Sequence, residues 1–384
     1  MTNLQKALQR EILLFKEAIE ADGGSIPEVS NAAFCKARKK LKPEVFTALS
    51  DIVIENFYKS NQSKKWQGYR VIAIDGSTIE LPSTSEVKAH YGVLSHRDDG
   101  KSVCMGKMLM VYDTLNHITL HGQMGIFNQG EQTMFWKCLP ELKLDNKDIL
   151  VFDRAYASHL LLFYLQKRGV QFCFRMRSNW IEVRRFERSG KKNGIVTFIL
   201  PQENKTQATA LGITETSIQC RLVRVELDSG ETEILLTSLV DKGFRVPDMK
   251  ELYGIRWPIE ESYKTFKHKV CIGNFSGKSL HAILQDFYVK IFIMNLTAVA
   301  VIPINKALKK ESVKVKYTYQ VNTVEFIATL KRSVVSFFIS GEISNALKRI
   351  YDRISRITAP IRPGRKYKRH HQRPKKHHVN YKPV

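Results

Sequence analysis

Two short apolar runs, each closed by an aspartate, constrain this chain more than anything else in it. Residues 71–75 read VIAID and residues 148–153 read DILVFD. Unbroken runs of β-branched and large apolar residues form strands of the buried type, covered by helices on a mixed or parallel sheet. Open sheets of this kind hold ligands where their strands stop. Asp75 and Asp153 stand at those places, so their carboxylates are expected to converge at the sheet's edge. A single aspartate at a strand end is commonly only a turn former, so the pair needs a third partner before it means chemistry.

The rest of the pattern fits such a sheet. Further strands are expected at Val103 to Tyr112, His117 to Ile126 and Gln171 to Arg175, with helices at Gln129 to Leu142 and Ala155 to Arg168. Three strands, a helix, a strand, a helix and a strand make an α/β arrangement with a mixed sheet flanked by helices. Ahead of it, residues 1–62 read as a helical N-terminal region. Its helices are Leu4 to Ala21, Asn31 to Leu41 capped by Ser30, and one opening after Pro43. The run Lys36, Arg38, Lys39, Lys40 is either a DNA-facing patch or a solvated helix face.

Residues 63–180 form the first part of the core, and residues 181–245 a β-rich insertion with strands near 195–200, 217–227 and 232–239. Residues 246–300 complete the core, residues 301–358 are helical, and residues 359–384 are a basic tail without packed structure. The most apolar run, Ile291 to Ile302, is too short for a bilayer and contains Asn295 and Thr297, which makes it a core helix and gives no membrane partner.

Charge narrows the partner. Sixty-one Lys and Arg against 37 acidic residues give +24, and the chain keeps +15 without the nine basic residues of 361–384. A basic body as well as a basic tail points to a polyanion, nucleic acid first. Six cysteines at 35, 104, 138, 173, 220 and 271 form no CxxC pair, so they suggest neither a zinc site nor a disulfide framework and read as buried thiols in a reducing cytosol. The first residues lack the basic and apolar regions of a signal peptide.

The third partner lies at 253–267, YGIRWPIEESYKTFK, where Tyr253, Arg256, Glu260 and Lys267 stand at a fixed spacing. With a helix starting near Pro258, seven residues return Glu260 and Lys267 to nearly one face. A carboxylate that holds a divalent cation, with a cation further along the stripe, suits a groove carrying a phosphate backbone past a metal. Adjacent helical residues point about 100° apart, so Glu261 is not expected to share the role of Glu260. A solvated amphipathic helix is the competing explanation.

IDGSTIELP at 74–82, VFDRAYAS at 151–158 and YGIRWPIEESYKTFK together resemble the three acidic segments of DDE transposases, ribonuclease-H-like enzymes. From about residue 70 to 300 the chain is similar to insertion-sequence transposases of the Tyr-Arg-Glu-Lys class. The resemblance implies that Asp75, Asp153 and Glu260 are catalytic and hold two Mg²⁺ ions, with Mn²⁺ able to substitute. It implies Mg²⁺-dependent cleavage at insertion-sequence ends and strand transfer into target DNA. It assigns Tyr253, Arg256 and Lys267 to DNA phosphates, with Arg154 and Tyr156 as further DNA contacts. Partners would be duplex DNA, as terminal inverted repeats and target, and a second copy of the chain. The place would be the bacterial cytoplasm, at the nucleoid. Trp180, Phe186, Phe198 and Phe244 are candidates for stacking a flipped base. Two other readings stay open: a catalytically idle DNA-binding descendant, and a basic RNA-binding protein.

Overall fold

The computed structural model describes residues 8–21, 23–94, 103–227, 230–241, 243–311, 317–330 and 343–361. The start of the first expected helix at Leu4 and the tail beyond 361 lie outside them.

The helices α1 (Leu8–Ala21), α2 (Asn31–Lys40) and α3 (Glu44–Lys59) open the chain. As its sequence implies, Ser30 caps α2, its hydroxyl accepting from the Ala33 amide at 3.1 Å. Next come β1 (Arg70–Glu80), α4 (Ser85–Tyr91), β2 (Val93–Leu94), β3 (Val103–Asp113), β4 (Ile118–Ile126), α5 (Glu131–Cys138), β5 (Asp148–Phe152), α6 (His159–Lys167) and β6 (Gln171–Arg175). The segment read as an insertion carries α7 (Ile181–Arg188), β7 (Asn193–Ile199), α8 (Lys205–Ala210), β8 (Ser217–Glu226) and β9 (Thr232–Thr237). After it come α9 (Val246–Gly254), α10 (Pro258–Lys264), α11 (Leu280–Glu311) and the short pair β10 (Tyr319–Val321) and β11 (Thr358–Pro360). Residues 358–360 were expected to divide between helix and tail, and are a strand instead.

The chain divides into two compact units. One is built from Ser60–Ile79 and Gly106–Tyr263. Its sheet runs β3-β1-β5-β6-β9-β8-β7, with β4 on β3. The bonds Thr114 N to Val71 O and Leu81 N to Cys104 O run in opposite residue order, so β1 and β3 are antiparallel. β5 is parallel to both β1 and β6. Antiparallel β4, β3 and β1 followed by parallel β5 and β6 is the strand order of a ribonuclease-H-like core. β9 then pairs antiparallel with β6, so the inserted strands lengthen this same sheet.

The two apolar runs are buried on both faces, as their composition requires. Ile72, Ile74, Leu150 and Phe152 pack with Phe135 of α5 and Leu161 and Phe163 of α6. Val71, Ile149 and Val151 face the other way, onto Met249 and Leu252 of α9. Period-two alternation delivers successive side chains to opposite faces, which is why neither run shows a polar stripe.

The other unit comprises Met1–Lys59, Glu80–Met105 and Lys264–Val384. Its long element is α11, a 32-residue helix with Pro303 inside, much longer than the apolar run Ile291 to Ile302 that marks it in the sequence. By length and composition alone it could cross a membrane, with mean hydropathy 1.9 over its most apolar stretch. Its polar residues argue for a core helix. Asn295 donates to Ser50 Oγ at 2.8 Å, and the fully buried Lys290 ammonium donates to the carbonyls of Cys271 and Asn274, each at 2.8 Å. Arg38 of α2 donates to Gln285 Oε1 at 2.6 Å and to Asp286 Oδ1 at 2.9 Å, and also reaches Ser276 Oγ. Arg38 therefore leaves the basic patch read at 36–40 and serves the core. Of the cysteines, Cys104, Cys138, Cys173 and Cys220 are buried thiols, but Cys35 is exposed and Cys271 half-buried.

Candidate active site

Parallel pairing of β1 with β5 ends at Ile74 opposite Phe152, so Asp75 and Asp153 are the next residues on two neighbouring strands. Adjacent strands lie about 4.8 Å apart, which sets the two backbones side by side. One expectation needs correcting. β5 does stop before Asp153, but β1 continues through Asp75 to Glu80, so Asp75 ends the buried apolar run and not the strand. The extension holds because the strand keeps bonding toward β3 after its partner β5 has ended.

Asp75 is half-buried, and its carboxyl is pushed up to about 7. Burial is the main cause; the guanidinium of Arg256 and the Gly76 amide pull it down, while Glu131 and Glu260 push it up. Its carbonyl accepts from the Tyr263 hydroxyl at 2.7 Å. Asp153 Oδ1 accepts from the Arg154 amide at 2.6 Å and lies 4.0 Å from Arg175 Nη1. Glu260, in the first turn of α10, accepts from Arg256 Nη2 at 2.6 Å. Pro258 is the first residue of α10, where its fixed φ helps, and Glu261 is exposed.

Arg256 is the buried cation of this edge. It is 8% exposed, paired with Glu260, and stacked 5.6 Å from the Tyr253 ring centroid. Its Nε and the Tyr253 hydroxyl are buried and have no hydrogen-bond partner among the described residues. Burial pushes the Tyr253 hydroxyl up to about 12, with Asp153 adding to the rise and Arg256 and Arg175 opposing it.

The remaining expected contacts separate. Arg154 is exposed, free to meet a solvent-side ligand. Tyr156 is not: at 1% exposed, its ring packs on Phe135 and Phe152, and its hydroxyl donates to Glu131 at 3.1 Å. That packing commits both the Tyr156 ring and its hydroxyl to the protein interior. Lys267 belongs to the other compact unit and lies in a π-helical turn, Thr265–Lys269, so the seven-residue α-helical spacing does not describe it. Burial lowers its pKa. The four stacking candidates are all packed: Trp180 on His159 with ring centroids 4.2 Å apart, Phe244 on Trp66, and Phe186 and Phe198 in the core.

Two participants carry no sequence signal. Arg175 ends β6 beside Asp153 and pairs with Glu233. Glu131, at the start of α5, presses on Gly76.

The donor chemistry fits a hard divalent cation. Asp75 meets Glu131 and Glu260 at one edge against a single neighbouring guanidinium, and oxygen ligands are what such a cation takes. Among the described residues no three His, Cys, Asp or Glu side chains are already gathered as a ligand set. Glu260 Oε1 is already bonded to Arg256 Nη2, so a cation drawing on that oxygen would compete with the guanidinium.

The raised Asp75 value has a stability consequence. A carboxyl whose folded pKa exceeds its unfolded one destabilises the fold once ionised. That penalty is absent below about pH 4, grows between about 4 and 7 and is complete above 7. The shift from 3.8 to about 7 bounds it near 4 kcal/mol, and partial exposure reduces this to about 1–3 kcal/mol. In urea denaturation with EDTA, Asp75→Asn should gain that amount at pH 8 and nothing at pH 4. An equal gain at both pH values would exclude the charge as its cause.

The family model described as Transposase DDE domain matches residues 66–296. The chain belongs to that family. Transposase InsG for insertion sequence element IS4, of Escherichia coli (strain K12), is 22% identical over 294 residues, 74% of this chain and 64% of that protein. The chain thus spans just under two thirds of that relative's length. The piggyBac transposase synaptic complex with hairpin DNA aligns with a TM-score of 0.42 at 13% identity, over 77% of this chain and 59% of that one. In this DDE family member the aspartates at 75 and 153 and the glutamate at 260 all fall inside the matched residues.

Proposed function

We propose that the chain is a DDE transposase that cleaves DNA at the ends of an insertion sequence and joins those ends to target DNA in the bacterial cytoplasm, working as a dimer on duplex DNA. The observation that carries this is the pair Asp75 and Asp153, each the residue directly after the last parallel pair of β1 and β5, with Glu260 felt by Asp75 at the same edge.

Asp75, Asp153 and Glu260 would hold two Mg²⁺ ions, with Mn²⁺ able to substitute. Bound there, the metal supplies a Lewis acid that activates the attacking oxygen and stabilises the leaving one in an in-line displacement. The protein's own groups do the rest. Half-burial of Asp75 makes its ionisation unfavourable without a nearby cation, so a cation bound there would be favoured by the carboxylate it ionises. Arg256 occupies that electrostatic role beside Glu260. On release it presents a planar donor fork, with a previously unpaired Nε, to a phosphate. The unpaired Tyr253 hydroxyl offers a second donor. Arg154, exposed beside Asp153, can meet the backbone from solvent. Lys267 remains a candidate phosphate contact from its own unit.

The experiment is incubation of the protein with a labelled duplex carrying the inverted repeat that flanks its coding sequence. Mg²⁺ should yield a nick ending in a 3′-hydroxyl, and EDTA should abolish it. Strong, Mg²⁺-indifferent binding without cleavage would favour the idle DNA-binding descendant.

A further inference from the structure

Gly76 follows Asp75 on β1, and a Cβ there would lie 2.2 Å from Glu131 Cδ and 2.5 Å from its Oε1. A side chain there would have to push the Glu131 carboxylate aside, so with glycine that carboxylate rests directly against the backbone of the residue after Asp75. By strand alternation Gly76 faces the α5 side of the sheet while Asp75 faces the α9 side, so Glu131 reaches the catalytic edge through the gap the glycine leaves.

Two further bonds fix it there. The buried Tyr156 hydroxyl donates to Glu131 Oε2 at 3.1 Å, and Gln132 Nε2, next along α5, donates to the Tyr156 carbonyl at 2.9 Å. Tyr156 lies in the turn after Asp153, its amide bonding the Asp153 carbonyl at 3.1 Å. Lys107 of β3 stands 3.9 Å away, a loose partner that leaves Glu131 partly exposed. Glu131 is thus tied to the residues that follow both aspartates, and a helix's first turn alone does not ask for that.

We propose that Glu131 is a positioning residue of the divalent-cation site: its charge, aimed by Gly76 and Tyr156, works with Asp75 to draw and hold the cation. This rests on the metal-binding reading above. Carboxylates that support ligands in this way typically contribute about 10–100-fold to metal affinity. Glu131→Gln keeps the shape and an oxygen for Tyr156 to donate to, and removes only the charge.

The test is Mn²⁺ affinity of the full chain, measured by calorimetry without DNA, for the native protein, Glu131→Gln and Asp75→Asn. Thermal unfolding in EDTA serves as the control for folding. The expected result is weakening of about 10–100-fold in Glu131→Gln with unfolding at or above the native temperature, and weakening in Asp75→Asn too. Native affinity in Glu131→Gln, with loss in Asp75→Asn, overturns the role of Glu131 and leaves the metal site standing. Native affinity in both overturns the metal reading and this inference with it. Gly76→Ala should weaken Mn²⁺ binding by displacing Glu131, and should add nothing in a Glu131→Ala background. An equal loss in that background would show that the glycine does not act through Glu131.

Discussion

Alanine at Asp75, Asp153 or Glu260 should each reduce Mg²⁺-dependent cleavage of the terminal repeat by on the order of 10³-fold or more, while binding of the uncut repeat survives. The size follows from the charge stabilisation a bound metal gives, several kcal/mol at 1.36 kcal/mol per decade of rate. The effects should also fail to add, because each variant disables the same centre. Single-turnover cleavage on saturating duplex, beside a gel-shift titration, separates the rate from the binding. A variant keeping more than about a tenth of native cleavage would remove that residue from the metal set, since less than one decade leaves no room for a ligand's contribution. Stability gives an independent check, since Asp75→Asn should lose activity while gaining stability above neutral pH.

The second large effect lies in the other unit. Arg38→Ala should destabilise the protein by about 3–5 kcal/mol, because it leaves Asp286 buried without its cation. Asp286 also accepts from the Ser276 amide and hydroxyl, so the loss should loosen the segment that leads into α11. The same change at exposed Lys39 or Lys40 should stay within about 0.5 kcal/mol. Urea unfolding of the three variants decides this. If Arg38→Ala behaved like the two lysine variants and instead weakened DNA binding, Arg38 would belong to the nucleic-acid surface after all.

Much of the core could be read before any coordinates, and the reason is local. The β5 run ends in Asp153 because the buried apolar residues end there, and Ser30 and Pro258 mark helix starts through their own backbone chemistry. What escaped depends on distant partners. β1 runs past Asp75 through Gly76, Ser77 and Thr78, residues whose composition resembles a turn and whose strand conformation comes from the sheet. Arg38 looks like one of four basic neighbours, and its commitment is set by Asp286, 248 residues away. Glu131 looks like an acid complementing a helix dipole. Only the fold brings it against Gly76. Tyr156 lies three residues past a catalytic candidate in sequence, but its ring packs on Phe135 and Phe152 and is only 1% exposed. Lys267 depends on a π turn that helical periodicity does not foresee.

The central claim is that Asp75, Asp153 and Glu260 form one divalent-cation centre. Anomalous scattering from crystals grown with Mn²⁺ tests it most directly. Peaks bounded by these three carboxylates are expected, with Glu260 turned toward the metal. Manganese bound elsewhere, with the Arg256–Glu260 pair intact and no peak at the ends of the two apolar runs, would contradict it.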